Sequence, residues 1–154
     1  MDRAILAFRQ DDAGDWIADL SCLHSQHIRH RPPFFDRPWV TTSAGRDGRI
    51  GSAIDCPLCD RAELPDGLRV VRTAGPFDRD TLPAGLRRSH RVADGTWGVL
   101  RVLEGSVRFT MATVPPVERE LMAGDTQPIP PLVPHTVGVA DPVRLAVDFM
   151  ARAR

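Results

Sequence analysis

Three cysteines and five histidines are spread unevenly over the 154 residues. Cys22, His24, His27 and His30 fall within "CLHSQHIRH", and Cys56 and Cys59 form "CPLC". Zinc favours four tetrahedral ligands drawn from thiolates and imidazoles, and a Cys-x-x-Cys turn aims two sulfurs at one point. Cys22 and His24, two apart, face the same side if a strand continues between them. The expected chemistry is therefore a Cys3His zinc site made of Cys22, His24, Cys56 and Cys59. His27 competes with His24 for the histidine position, and His30 either steadies a ligand or meets a substrate. A redox reading of Cys-Pro-x-Cys needs a nucleophilic thiol at a helix start. Here "DRAELPDG" is interrupted by Pro65 and no βαβ pattern surrounds the motif, so the metal reading is the stronger.

Those donors must be held by a small structure. "AILAFRQ" and "DWIADLSC" read as two strands joined at "DDAG", a hairpin that delivers Cys22 at its end. A Pro-rich loop, "RPPFFDRPW", leads to a short helix over 41–50, capped by Thr42 or Ser43 and weakened by Gly45 and Gly48. After "CPLC" the chain turns sharply and becomes polar, which sets a boundary between a module at 1–62 and a second domain at 63–154. A unit below about 70 residues usually needs a metal or disulfide beside its core. With an odd number of cysteines and the expectation of a reducing compartment, metal is the better staple.

From Leu68 onward short β segments recur between glycines and prolines: "LRVVRT", "GLRRSH", "WGVLRVLEG", "SVRFTMATV", "ERELMAG", "DTQPIP", "HTVGVA" and "VRLAVDFM". Such spacing points to an all-β sandwich or barrel, not to alternating β and α elements. The chain as a whole is expected to be mainly β.

Two resemblances add to this. "CLHSQHIRHRPP", "RPW" and "CPLC" resemble a small bacterial family of unknown function with the pattern Cys-Gly-His-x-Gln-His-x-Arg-His-x-Pro-Pro and a closing Cys-x-x-Cys. The likeness covers about residues 1 to 60. This chain has Leu23 where the family has glycine, so a left-handed backbone there would be strained. "GVLRVLEGSVRF" and "AGDTQPIPPLVPHTVG" resemble the two signature halves of the cupin barrel, a double-stranded β-helix. More closely, "LPDGLRVVRTAGPFDRDTLPAGLRRSHRVADGTWGVLRVLEG", "VPH" and "AVDFM" resemble the TehB/YeaR-like family of tellurite-resistance-related proteins.

The cupin resemblance implies a ligand or metal site at His90, His135 and Asp148, for zinc, iron, manganese or nickel. The His-x-His pair of many cupins is missing, and Gly98 stands where a glutamate is usual. Read as ordinary side chains, His135 hydrogen-bonds at the barrel mouth, His90 ends a strand, and Asp148 pairs with Arg101 or Arg108. Trp97 and Phe149 line a pocket or fill the core.

Formal charge is zero, with 20 arginines against 20 acidic residues and no lysine. Nucleic acid and anionic lipid are thus disfavoured as partners. No apolar run is long enough for a bilayer, and the start lacks a basic region followed by an apolar core, so a cytoplasmic protein is expected. The leading reading is a metal-binding protein: a zinc-stapled module joined to a barrel that takes a small ligand or metal, in a metalloid or stress response. An enzyme using His90, His135 and Asp148 to activate oxygen or water is the alternative. A third reading is an interaction module that forms a homodimer through the barrel. With no Gly-rich nucleotide loop, the methyl transfer of TehB is not expected.

Overall fold

The computed structural model describes residues 1–153, and the chain divides into two units, Met1–Cys56 and Pro57–Arg154. Strands dominate both, as expected. Among the described residues no helix is long and apolar enough to cross a membrane.

The first unit is built on the hairpin of β1 (Asp2–Gln10) and β2 (Trp16–Leu20). Its turn forms because the Asp11 carboxylate accepts the N–H groups of Ala13 and Asp15, at 3.0 and 2.9 Å, while Gly14 takes φ +81°. β3 (Ser25–His27) and β4 (Ala53–Asp55) complete a sheet in the order β3-β2-β1-β4. Both β2 and β4 run antiparallel to β1, one on each side of it. They therefore run parallel to each other and end together beside the start of β1. Ile5, Ile17, Leu20, Ile28 and Val40 are buried around this sheet.

Between β3 and β4 a 3-10 turn, Pro38–Thr41, leads into α1 (Ser43–Asp47). The Thr42 hydroxyl caps α1 by accepting the Gly45 N–H at 3.1 Å, one of the two expected caps. Gly45 is present for a steric reason: a Cβ there would lie 2.2 Å from the Trp39 carbonyl oxygen. The arginines of this stretch are not simply solvated. Arg46 sits 3.5 Å above the Trp16 ring and Arg49 lies 5.0 Å from that of Trp39, so each guanidinium covers an indole face.

The second unit opens with a helical turn, α2 (Pro57–Asp60), and then, among the described residues, holds seven strands. These are β5 (Leu68–Phe77), β6 (Trp97–Glu104), β7 (Ser106–Met111), β8 (Val117–Met122), β9 (Thr126–Ile129), β10 (His135–Val139) and β11 (Arg144–Arg152). One sheet has the order β5-β11-β6-β9 and the other β10-β7-β8. Alternate residues of β6 and β7 turn inward, so Leu100, Val102, Val107, Phe109 and Met111 are buried, and Trp97 at the start of β6 is buried as well. Gly105 makes the β6–β7 turn with φ +73°, where a Cβ would strike the Pro142 carbonyl at 1.9 Å.

"GLRRSH" departs from the expected strand. Ala84–Arg87 is a 3-10 turn, and only His90 pairs, through an isolated bridge to His135. Pro83 and Gly85 favour the turn locally, and the two arginines and the serine that follow offer no alternating apolar face to hold a strand.

Candidate metal centre

β2 ends at Leu20 beside Ile5, and β4 ends at Asp55 beside Asp2. The residues that follow each strand thus emerge on either side of β1 at the same end of the sheet. Strands two positions apart are separated by roughly 10 Å. The turn after β2 and the side chains it carries close that gap. The Leu20 N–H donates to the His24 carbonyl and the Leu23 N–H to the Leu20 carbonyl, both at 2.9 Å. A tight reversal results, with Leu23 in the left-handed region at φ +71°. Cys22 and His24 converge because the chain turns between them, not because a strand continues. Position 23 needs the conformation glycine adopts most easily, yet carries leucine.

On the other side, the Cys56 N–H donates to the Met1 carbonyl at 2.8 Å, and Pro57 starts α2 at a position where its missing N–H is no loss. One helical turn then brings Cys59 back toward Cys56. The ligand atoms of Cys22, His24, Cys56 and Cys59 all lie within 4.8 Å of one another, and all four residues are buried.

The spacing of these atoms tests whether a metal fits. Zinc–sulfur and zinc–nitrogen bonds of about 2.3 and 2.0–2.1 Å at tetrahedral angles put two sulfurs about 3.8 Å apart, and sulfur and nitrogen about 3.5 Å apart. Cys22 Sγ and Cys56 Sγ are 3.8 Å apart. His24 Nδ1 lies 3.5 Å from each of those sulfurs. A disulfide would need about 2.05 Å, and none of the three cysteines is in one. These residues can hold a metal ion, and the three edges among Cys22, His24 and Cys56 match those of a zinc tetrahedron.

The electrostatics point the same way. Burial, the largest influence on His24, disfavours its charged form; contact with Cys22 and then Cys56 outweighs it, and the imidazole is raised from 6.5 to about 9. The sulfurs draw a positive charge to this point, whether a proton or a metal cation.

The other histidines of the opening stretch stand apart from the cluster. His27, on β3 and well exposed, lies with Nε2 2.9 Å from the Asp11 carboxylate. His30 accepts the Arg37 N–H at Nδ1, at 3.0 Å, and so pins the Pro-rich loop.

In the second unit His90 and His135 are brought together. Each donates its N–H to the other's carbonyl, at 2.9 and 3.0 Å, and their rings meet edge to face at 5.4 Å. His135 is buried, with Nδ1 3.0 Å from the Val133 carbonyl oxygen, which places the proton on Nδ1 and leaves Nε2 as the lone-pair nitrogen. Burial lowers its pKa, the Val133 contact opposes that, and His90 adds to the lowering. It borders a cavity of about 320 Å³ with Ser89, Met111, Val117 and Pro134.

Asp148 does not join the histidines. Its carboxylate takes Arg101 Nε and Nη2 at 2.7 and 3.2 Å and the Thr73 hydroxyl at 2.7 Å. Arg101, then Thr73, hold its pKa below 3.8 against partial burial. Among the described residues, the Cys/His cluster is the one group of three or more Cys, His, Asp and Glu side chains placed to share an ion. Trp97 is wholly buried, whereas Phe149 borders a second cleft with Arg72 and Arg91. No local motif marks that cleft, because its walls come from three separate stretches of chain.

Residues 6–63 match the family described as a protein of unknown function (DUF3565), and residues 72–147 match the TehB-like domain. The TehB-like match lies within the second unit. The DUF3565 match contains all four residues of the cluster. Among solved structures, a protein from Escherichia coli strain K12 superposes with a TM-score of 0.53 at 22% identity, covering 59% of this chain and 97% of its own. TehB from Haemophilus influenzae gives 0.49 at 22% identity, over 56% of this chain and 32% of that one. The chain thus spans about a third of that TehB, and the E. coli likeness shows a shared fold. No protein in the curated comparison matches the sequence at the same stringency.

Proposed function

We propose that this is a cytoplasmic metal-binding protein in which a structural zinc, held by Cys22, His24, Cys56 and Cys59, fastens the N-terminal module, and in which the TehB-like domain binds a small ligand. The agreement of the 3.8 and 3.5 Å edges with a zinc tetrahedron carries the reading. Four closed protein ligands leave no open position, so this zinc would fix structure and not activate water. Purified protein should hold about one zinc per chain, and Cys59→Ser should lose it together with the order of the first unit. Unchanged zinc content in Cys59→Ser would end the proposal.

For the second unit the proposed architecture is the cupin-like double-stranded β-helix. Its strand order supports this: β5-β11-β6-β9 forms one sheet, and β10-β7-β8 forms the other, extended by the His90 bridge onto β10. Jelly rolls distribute eight strands between two sheets in this manner. The ligand site is proposed beside His90 and His135, and a metalloid or stress response is the proposed setting. The juxtaposed histidines favour one second reading, a barrel metal with catalytic use. Asp148 would have to exchange Arg101 for the cation, and His135→Ala should then abolish iron, nickel or manganese uptake without unfolding the domain.

A further inference from the structure

A cleft of about 470 Å³ in the second unit is lined by Val71, Arg72, His90, Arg91, Thr96 and Phe149 among others. Its walls come from β5, the stretch from His90 to Thr96, and β11. The guanidinium of Arg72 lies 4.1 Å from the Phe149 ring centroid, so the ring holds that cation in place. Among the described residues no carboxylate lines the cleft.

Acidic and basic residues balance in number, and Arg9, Arg29, Arg61, Arg79, Arg101 and Arg144 each reach a carboxylate. Among the described residues the side chains of Arg72 and Arg91 make neither an ion pair nor a hydrogen bond. Two permanent cations, an imidazole and a hydroxyl thus border one concavity that no anion neutralises, and a concave surface focuses their field. Guanidinium forks match the two oxygens of a carboxylate or oxyanion, which the pairing of Arg101 with Asp148 already illustrates in this chain.

We infer that this cleft is a binding site for a small anion, a carboxylate or an oxyanion, gripped by Arg72 and Arg91 with Thr96 and His90 supplying further polar contacts. The inference rests on the small-ligand reading of the second unit and names its chemistry; it does not depend on the Cys/His cluster.

The test is an amide-shift titration of the zinc-containing full chain with inorganic phosphate and, separately, with acetate. The expected result is saturable shifts at Val92, Ala93 and Thr96 with at least one probe. Arg72→Gln and Arg91→Gln should each weaken binding about tenfold or more. Arg144→Gln removes the same charge from a residue paired with Glu104 and should leave the affinity unchanged. Both cleft arginines are exposed, so the fold should tolerate their replacement. Equal weakening by Arg144→Gln would reduce the effect to net charge and overturn the inference. Saturable shifts confined to Met111, Val117 and His135 would also overturn it while leaving the small-ligand reading standing. The absence of saturable shifts anywhere with both probes would overturn it too. In that case, failure of a wider set of neutral and cationic small molecules to shift either cavity would remove the small-ligand reading as well.

Discussion

In the first unit the buried large aliphatic side chains are Ile5, Ile17, Leu20, Ile28 and Val40, and the buried Cys22, His24 and Cys56 stand at the end of its sheet, with the buried Cys59 one helical turn further along the chain. In the second, Trp97, Leu100, Val102, Val107, Phe109, Met111, Leu121, Ile129, Val137 and Leu145 pack without any such cluster. Conformational entropy opposes both units in proportion to their length, and apolar burial must offset it. The larger β unit can do so by packing alone. The smaller one has less apolar surface to bury, and the proposed metal cross-link between its strand ends would make up the deficit. The residues that can hold a metal thus occur where the core is thinnest.

The largest effect that could break this contrast is metal removal. Stripping the ion with a chelator under reducing conditions, or Cys56→Ser, should unfold the first unit, since structural zinc contributes about 10–16 kcal/mol in modules of this kind. Near-ultraviolet circular dichroism of Trp16 and Trp39 would report the loss, while amide signals of β6 and β7 should persist. Loss of both sets together would show that the units do not differ as argued. Acid should act similarly. A metal displaces the proton from His24 whenever pH is below about 9, so affinity falls as pH falls, and zinc should be released progressively on acidification.

The converse perturbation, Leu100→Ala, should cost the second unit about 2–5 kcal/mol through the cavity it leaves, with zinc content unchanged. Thermal unfolding followed alongside metal analysis separates the two outcomes.

Smaller effects sharpen the comparison at single positions. Leu23 holds φ +71°, a conformation costing a non-glycine residue about 1–2 kcal/mol. Leu23→Gly should relieve that strain, less the extra freedom glycine gains when unfolded, for a net gain of up to about 1 kcal/mol in the first unit. Denaturant unfolding of the zinc-loaded protein would show it. Asp148→Asn should cost the second unit about 1 kcal/mol or less through the weakened contact with Arg101. Because Asp148 has a lowered pKa in the folded state, its contribution is complete above about pH 4 and disappears as pH falls through the folded value. The wild-type protein and the Asp148→Asn variant should therefore converge in stability at the acid end of a pH series.

The hairpin, the four clustered donors and nearly all the β segments of the second unit were legible in the sequence, because turn residues and alternating apolar positions act locally. What escaped is non-local or depends on one backbone angle. A continuing strand and a tight reversal both bring Cys22 and His24 to one side, and only Leu23 in the left-handed region distinguishes them. Asp148 could be read as a ligand or as a partner of Arg101, because alternation says which face a carboxylate occupies but not which cation meets it. The Arg72–Arg91 cleft left no local trace, since it exists only once β5, the His90–Thr96 stretch and β11 are side by side.

X-ray absorption spectroscopy at the zinc edge of protein purified without added metal tests the central claim most directly. The account predicts a zinc ion with three sulfur neighbours at about 2.3 Å and one nitrogen at about 2.0–2.1 Å. A first shell of oxygens, or protein without zinc whose first unit is fully ordered, would contradict it.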